Sequence, residues 1–336
     1  MLAILPASLI IVMSACVFIG CSCGSGSGNP SISKQEGKVS KREGTLLQSF
    51  PAITPPAMIS NQKEALDFVV EHFWDKFTDK SFKGYCDDSH VNGVAMEELE
   101  RQYGTYAMLL WQTEVAKASA SVSRLFALSE ACEKRDTSSN VFEKITLLTE
   151  KYLHDPNSPL RNEEFYLPYV SGLAESDMVP AEKKPAYSFD AKMCALNRIG
   201  TQVADFSFTE FSGKKRTLYS IKADYLLLFF SNPGCPSCKD ITEVIESDEN
   251  ILGMMSSGRL KVVNMYIDQE LDKWREYAAG YPTEWISGYD HNYIIRTDVT
   301  YNIRAIPSLY LLDSQKRVLL KDAPLERVEM YLRACE

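Results

Sequence analysis

Two cysteines, Cys235 and Cys238, enclose Pro236 and Ser237 and follow closely on the apolar run at residues 225–230. An apolar run of this length predicts a strand covered on both faces. Pro236 suits the first position of a helix, where its missing N–H costs nothing, so Cys235 is expected at a helix N-terminus. The free amides and the dipole there favour a thiolate. Cys238, a turn further in, would be more shielded and could resolve a mixed disulfide on Cys235, which is the chemistry of dithiol–disulfide exchange.

Three other roles of the cysteine pair are alternatives to a redox centre. A zinc site needs four ligands, commonly from two paired motifs. The chain has no second pair of this spacing and its four histidines show no ligand spacing, so we expect no metal. The pair could also be a static structural disulfide or two buried free cysteines. The sequence does not say which of the isolated cysteines form pairs; these are Cys23, Cys86, Cys132, Cys194 and Cys335.

Length and composition limit the class of protein. A chain of 336 residues is too long for one ordinary core, so two domains are expected. Hydrophobic content of 45% and charged content of 24% are typical of a folded globular protein. A net charge of −9 without a cluster of Lys and Arg argues against a phosphate-binding face. Nucleic acid is therefore not expected as a partner.

The first 21 residues are almost continuously apolar and end in Gly20 and Cys21. This ending resembles the bacterial lipobox, in which the cysteine is lipidated and becomes the mature N-terminus; Cys16 is a weaker candidate. No Lys or Arg precedes the apolar stretch, unlike an ordinary signal peptide, and an uncleaved apolar helix is the alternative. Residues 22–56, rich in Gly, Ser, Lys and Pro, predict a flexible tether. We expect a lipid-anchored protein of the periplasm or cell envelope.

The pattern of apolar residues changes near residue 197. Residues 57–197 show helical periodicity, with Asn61 as a plausible first cap, and no strand is predicted among them. Residues 198–336 alternate between strand and helix patterns and close with a hairpin and a helix. The predicted fold is an all-α N-terminal domain followed by an α/β domain, in which helices flank a mixed central sheet. Cys132 and Cys194 fall in helical patterns and are expected to be small buried hydrophobes.

The second domain resembles the thioredoxin superfamily. The resemblance rests on the strand that enters the cysteine pair and on the downstream segment AIPSLYLLD, which contains Ile306 and Pro307. The lead-in at residues 200–230 is similar to the TlpA/ResA branch of exported, membrane-tethered thiol–disulfide oxidoreductases. The whole mature chain resembles bacterial lipoproteins that place a helical domain of unknown function before this domain, with close equivalents of EHFWDKFTDKSF, NEEFYLP and EWISGYD.

The resemblance implies a role for each residue of the motif. Cys235 would be the nucleophile and Cys238 the resolving thiol. Ile306 and Pro307 would form the cis-proline platform that accepts the extended backbone of the substrate beside the nucleophile. The expected activity is that of a reductase or isomerase without a cofactor, acting on protein disulfides or dithiols and receiving electrons from an unknown membrane donor. The alternative is a partner-binding lipoprotein whose thioredoxin fold is a non-catalytic adaptor.

Two departures from the family pattern leave the direction of electron flow open. The aromatic residue that often precedes the first cysteine is Gly234, and the acid that some thioredoxins bury six positions before it is Phe229. Glu284 and Asp268 are candidate bases for Cys238.

Aromatic residues elsewhere are expected to pack in cores rather than to bind ligands. This interpretation applies to Phe73, Trp74, Phe77 and Phe82, and also to Trp285, Tyr289 and Tyr293, which could alternatively rim the substrate groove.

Overall fold

The computed structural model describes residues 47–335. Up to Cys194 the described chain is mainly helical, as predicted. Its helices are α1 (Gln62–His72), α2 (Met96–Leu110), α3 (Val115–Arg135), α4 (Val141–Thr149), α5 (Glu163–Glu175) and α6 (Lys184–Cys194), and a π-helical turn, Glu150–His154, continues α4. Asn61 caps α1 as expected, because its Oδ1 accepts hydrogen bonds from the backbone N–H groups of Lys63 and Glu64.

The expectation that no strand interrupts the helical domain is wrong. Strands β1 (His90–Val91) and β2 (Val94–Ala95) pair antiparallel between α1 and α2. Asn92 and Gly93 join them with positive φ angles of 50° and 79°. A two-residue hairpin turn needs this backbone, and Asn-Gly is the dipeptide that favours it. The hairpin is local turn chemistry inside a sequence whose longer pattern is helical.

The aromatic residues after α1 form core, as predicted. Phe73, Trp74 and Phe77 are all buried although the helix has ended at His72. Trp74 packs edge-on against Tyr106 of α2, with ring centroids 5.5 Å apart. These contacts join the segment after α1 to the body of the helical domain.

Within residues 47–335, seven strands form one mixed sheet. They are β3 (Ser207–Glu210), β4 (Lys215–Thr217), β5 (Tyr225–Phe230), β6 (Leu260–Tyr266), β7 (Ile286–Tyr289), β8 (Ser308–Asp313) and β9 (Val318–Leu320), in the spatial order β4-β3-β7-β6-β5-β8-β9. β5, β6 and β7 are parallel and the other pairings are antiparallel. The predicted mixed sheet is confirmed. β7 was not predicted, because four residues that include Ser and Gly give a weak strand pattern.

Helices cover both faces of this sheet. They are α7 (Pro236–Ser247), α8 (Glu249–Ser256), α9 (Leu271–Ala278), α10 (Ile294–Thr297) and α11 (Leu325–Arg333). α8 was not predicted as a separate helix; Asp248 ends α7 and caps α8, its Oδ1 accepting from the N–H of Ile251. Along β5, Leu226, Leu228 and Phe230 pack in one hydrophobic core. Leu227 and Phe229, whose side chains point to the other face of the strand, pack in a second core. The strand is therefore buried on both faces, as its apolar sequence predicts.

Charged side chains of the two domains meet in a buried group, here called the border cluster: Arg161 and Glu163 from the helical domain, and Arg304, Lys321 and Asp322 from the α/β domain. Burial raises the pKa of Glu163, and the nearby Lys321 and Arg304 oppose that rise.

Among residues 47–335, no helix has both the length and the apolar composition needed to cross a membrane.

His154 lies beside the border cluster. Its ring stacks on Tyr166 with centroids 4.3 Å apart, and its Nδ1 lies 3.2 Å from Nη1 of Arg304. Its Nε2 is 4.0 Å from a carboxylate oxygen of Asp190. Burial, followed by the positive charge of Arg304, lowers the pKa of His154 from 6.5 to about 4, against a smaller opposing effect of Asp155.

The lowered pKa predicts that His154 makes the fold sensitive to acid. The unfolded chain binds this proton near pH 6.5 and the folded chain only near pH 4, so the stability from a neutral His154 is present above that interval and is lost as pH falls through it. We expect the free energy of unfolding of wild type to fall towards that of His154→Gln over this interval, measured by urea denaturation at several pH values. His90→Gln, near the surface beside Asp87, is the control. Parallel pH profiles for wild type and His154→Gln would contradict the prediction.

Candidate active site

The cysteine pair lies at the start of helix α7, a few residues after the end of strand β5. Cys235 and Cys238 are joined by a disulfide. Cys235 is the N-cap residue of α7, its Sγ accepts a hydrogen bond of 3.2 Å from the N–H of Cys238, and Pro236 is the first residue of the helix. The predicted position of Cys235 at a helix N-terminus is confirmed. An anion on its sulfur would face the free amides of that helix.

The two sulfur-bearing residues differ in exposure. Cys238 is 3% exposed and packs in the core below the helix, whereas Cys235 is half-buried at its edge. An incoming disulfide can therefore reach Cys235 but not Cys238. Ser237 is exposed beside them. This arrangement supports one attacking and one resolving sulfur.

Ile306 belongs to the same hydrophobic core as the cysteine pair, and the role of Ile306 and Pro307 as the substrate platform stays a prediction. They immediately precede β8, whose first residue, Ser308, pairs with Phe230 at the end of β5. Ile306 packs against the same core as Cys235 and Cys238. The bond between Ile306 and Pro307 is cis.

A cleft of about 490 Å³ opens beside the disulfide. One wall is α7, with Thr242 and Glu246. The other wall is the end of α9 and the residues after it, with Tyr277 and Tyr281. Both tyrosines were missed as site residues. Their spacing of one helical turn in the YAAGY segment is the signal that could have drawn attention to them.

Tyr281 connects the cleft to a buried polar group. Its hydroxyl lies 3.3 Å from Oγ of Ser231, which in turn donates to Oδ1 of Asn264 at 2.6 Å. Ser231 and Asn264 are both almost fully buried. These neutral side chains occupy the end of β5 and the middle of β6, next to the apolar Phe229, which is paired with Asn264 across the strands.

The two candidate bases for Cys238 are Asp268 and Glu284. Asp268 accepts a hydrogen bond of 2.7 Å from Nδ2 of Asn232, and its other oxygen lies 2.7 Å from Nη2 of Arg296. Glu284 is exposed. Asp268 thus pairs with Arg296 and Glu284 faces solvent, and their role as bases for Cys238 stays a prediction.

The aromatic residues downstream of α9 mainly pack, as expected. Trp285 is buried, stacks on Tyr281 with centroids 6.0 Å apart and meets Phe229 edge-on. Tyr289 packs against Trp274 at 5.0 Å. Trp285 thereby supports Tyr281, one wall of the cleft, from behind.

The remaining described cysteines do not belong to the site. Cys132 and Cys194 are buried and unpaired, which confirms them as small core residues; burial raises the pKa of both thiols. Cys86 and Cys335 are free and partly exposed. Across the described residues, no group of three or more His, Cys, Asp or Glu side chains is arranged to hold a metal ion. The predicted lipidation of Cys21 falls outside the described residues.

The mixed sheet, the disulfide at the start of α7 and the Ile306-Pro307 turn define a thioredoxin-like domain. A family model described as "Thioredoxin-like" matches residues 223–318, and one described as "Domain of unknown function (DUF5106)" matches residues 21–197. The chain belongs to the family in which the domain of unknown function precedes a thioredoxin-like domain. The resemblance inferred from the sequence is thereby confirmed.

The chain is similar to two solved structures and to one curated protein. A thioredoxin-like protein from Bacteroides caccae is 34% identical with a TM-score of 0.73, and the match covers 87% of this chain and all of that one. The C-terminal domain of an uncharacterized protein from Bacteroides fragilis is 45% identical over 41% of this chain and 98% of its own, with a TM-score of 0.40. Nucleoredoxin from Bos taurus is 24% identical over 34% of this chain, a match that spans only 26% of nucleoredoxin.

The backbone at Gly234 explains why the usual aromatic residue is missing there. Gly234 has φ of 73°, a conformation that costs a residue with a Cβ about 1–2 kcal/mol. The position of an added Cβ would be 3.5 Å from Oη of Tyr277, an ordinary contact. The constraint at this position is therefore the backbone conformation and not the space available.

This difference predicts opposite effects for two glycine substitutions. Gly234→Ala should lower the free energy of unfolding of the oxidised protein by about 1 kcal/mol. Gly253→Ala should raise it by about 0.5–1 kcal/mol, because Gly253 lies exposed in α8 with no atom near an added Cβ. Urea denaturation measures both. Changes of the same sign would refute the explanation.

Proposed function

We propose that this protein is a thiol–disulfide oxidoreductase of the reductase or isomerase type. The observation that carries the proposal is the disulfide at the start of α7, with a half-buried Cys235 at the helix N-terminus and a buried Cys238 behind it. A static structural disulfide does not need this difference in exposure, nor a cleft beside it. Membership of a thioredoxin-like family supports the same chemistry.

The reaction starts from the reduced dithiol. The thiolate of Cys235 attacks one sulfur of a substrate disulfide, and the other substrate sulfur leaves as a thiolate that takes up a proton. Cys238 then loses its proton and attacks Sγ of Cys235, which releases the second substrate sulfur and forms the Cys235–Cys238 bond. Two electrons pass from the protein to the substrate, and an external dithiol must return them. In isomerisation, a thiol of the substrate itself resolves the mixed disulfide.

The substrate's position follows from the surroundings of Cys235. The cleft beside α7 offers an apolar wall with the exposed ring of Tyr277, and Ile306 packs against the hydrophobic core that includes Cys235 and Cys238. An extended segment of an unfolded or flexible protein fits between them better than a compact surface does, because backbone pairing needs access along several residues. Protein disulfides are therefore the proposed substrates.

The cellular setting is proposed from the sequence of the N-terminal segment. Lipidation of Cys21 would hold the protein on a membrane of the periplasm or cell envelope. The tether predicted over residues 22–56 would end before Phe50, because that ring packs against Phe73 and Phe77 in the core of the helical domain. That compartment permits both oxidised and reduced cysteine pairs, and a membrane protein would be the electron donor.

Replacement of each cysteine separately tests the chemistry. Wild type should reduce insulin disulfides, Cys235→Ser should lose that activity by about 100-fold or more because the nucleophile is gone, and Cys238→Ser should accumulate a mixed disulfide with insulin. Turbidity measures the reduction and non-reducing electrophoresis with mass spectrometry measures the adduct. Cys86→Ser, which removes a cysteine far from the pair in sequence, is the control.

Two results would contradict the oxidoreductase. One is wild-type protein that stays inactive with every reductant, which would favour the adaptor alternative. The other is activity that survives Cys235→Ser.

The proposed anchor is tested by two substitutions in the same segment. Cys21→Ser should move the protein from the membrane to the soluble fraction of a bacterial host and remove the lipid mass from its N-terminal peptide. Cys16→Ser should leave it on the membrane, because the lipobox-like ending precedes Cys21. A lipid retained on Cys21→Ser, or lost in Cys16→Ser, would contradict the assignment.

A further inference from the structure

The segment that contains Ile306 and Pro307 makes polar contacts both before and after these two residues. We call residues 302–308 the substrate loop. Before the two residues, Asn302 and Arg304 contact Glu163; after them, Oγ of Ser308 donates a hydrogen bond of 2.8 Å to Oδ1 of Asp322. The loop contains no helix or strand before Ser308, so these polar contacts hold it in place together with the packing of Ile303 and Ile306 against the core.

The contacts before Ile306 are made by the helical domain. Oε1 of Glu163, the first residue of α5, accepts a hydrogen bond of 2.5 Å from Nδ2 of Asn302 and lies 3.2 Å from Nε of Arg304. Arg304 also donates to the backbone carbonyl of His154, again in the helical domain. The other oxygen of Glu163 lies 2.7 Å from Nζ of Lys321.

The contact after Pro307 depends on the helical domain as well. Oδ2 of Asp322, whose other oxygen holds Ser308, accepts from Arg161 at 3.3 Å and from Arg304 at 3.3 Å. Arg161 comes from the loop that leads into α5. Both sides of the Ile306-Pro307 turn are therefore connected, through at most one intervening side chain, to residues beside the start of α5.

Such a connection is rigid for a physical reason. The side chains of Glu163 and Lys321 are each 1% exposed. A shift of the carboxylate away from its cations would leave buried charges unpaired, which is strongly unfavourable. The substrate loop can hold only positions that keep the charges together.

We propose that Glu163 of the helical domain is a positioning residue for the substrate loop, so that the domain of unknown function sets how well the thioredoxin-like domain binds protein disulfides. The inference rests on the proposed thiol–disulfide exchange at Cys235. It assigns no chemical step to Glu163, which acts on the substrate only through Asn302 and Arg304.

The neighbouring Glu164 provides a matched control. Glu164 is also a glutamate of the first turn of α5 and is also 2% exposed. It also joins the two domains, through an ion pair of 2.8 Å with Arg198 and a hydrogen bond from the N–H of Ile199. Neither of these partners is a residue of the substrate loop. A merely structural role at the border would thus affect both glutamates, whereas of the two only Glu163 contacts residues of the substrate loop.

The experiment compares wild type, Glu163→Gln and Glu164→Gln as pre-reduced full chains. Each is oxidised with insulin, which must occupy the substrate loop, and with hydroxyethyl disulfide, which is too small to need it. For each disulfide the half-saturating concentration and the limiting rate are measured, together with the reduction potential of the Cys235–Cys238 pair and the melting temperature.

We expect Glu163→Gln to raise the half-saturating concentration of insulin about tenfold, with the limiting rate changed by less than about twofold. Its rate with hydroxyethyl disulfide and its reduction potential should equal those of wild type, since the sulfurs and α7 are untouched. Glu164→Gln should match wild type with both disulfides, whatever its melting temperature. This pattern would support the proposal.

Contrary outcomes overturn it. Equal losses with both disulfides, or the same losses in Glu163→Gln and Glu164→Gln, would reduce Glu163 to a structural residue. If wild type reacts with insulin and Glu163→Gln reacts with it equally well, this inference alone is overturned. If wild type reacts with neither disulfide, the proposed function is overturned as well.

A second variant keeps the test decisive if Glu163→Gln fails to fold. Asn302→Ala leaves every charge of the border cluster in place and removes the hydrogen bond from the loop to Glu163. It should raise the half-saturating insulin concentration by about threefold and leave hydroxyethyl disulfide unaffected. No change with insulin would overturn the proposal.

Discussion

The buried carboxylate of Glu163 is the contact that connects the helical domain to the segment leading to Ile306 and Pro307. A carboxylate that water cannot reach has to be compensated by nearby cations, and here both cations, Lys321 and Arg304, come from the thioredoxin-like domain. Lys321 in turn contacts the carbonyl of Cys194 at the end of α6, 2.7 Å away. Neither domain can bury these charges alone. The two domains therefore form one structural unit at this border, and the segment leading to Ile306 is included in it.

The two sulfurs of the dithiol have different surroundings. The N-terminus of α7 stabilises a negative charge on Cys235 and so favours the reduced form. The apolar core around Cys238, with Phe229 in place of an acid, shields the second sulfur from solvent. Ser231 and Asn264, the buried polar groups at the end of β5 and in β6, are neutral side chains. The difference between the two sulfurs therefore comes from the helix N-terminus on one side and the apolar core on the other.

Sequence patterns predicted the parts of the site that depend on local chemistry. The apolar β5, the proline that starts α7 and the Asn61 cap each follow from a few adjacent residues, and all three are present. The hairpin at Asn92-Gly93 also had a local signal, which the helical pattern around it outweighed. The prediction of Ile306-Pro307 beside the cysteines needed the family resemblance, because they lie about seventy residues further along the chain.

What the sequence could not supply are contacts between residues that are distant in the chain and ordinary in composition. Glu163 sits in a first helical turn, where an acidic residue normally faces solvent and the helix dipole. Nothing in NEEFYLP separates Glu163 from Glu164, yet the first contacts the substrate loop and the second contacts Arg198. The helical rotation of about 100° between adjacent residues sends the two carboxylates to different partners. A domain with no recognisable chemistry of its own therefore reaches the loop that carries Ile306 and Pro307 through the orientation of one side chain.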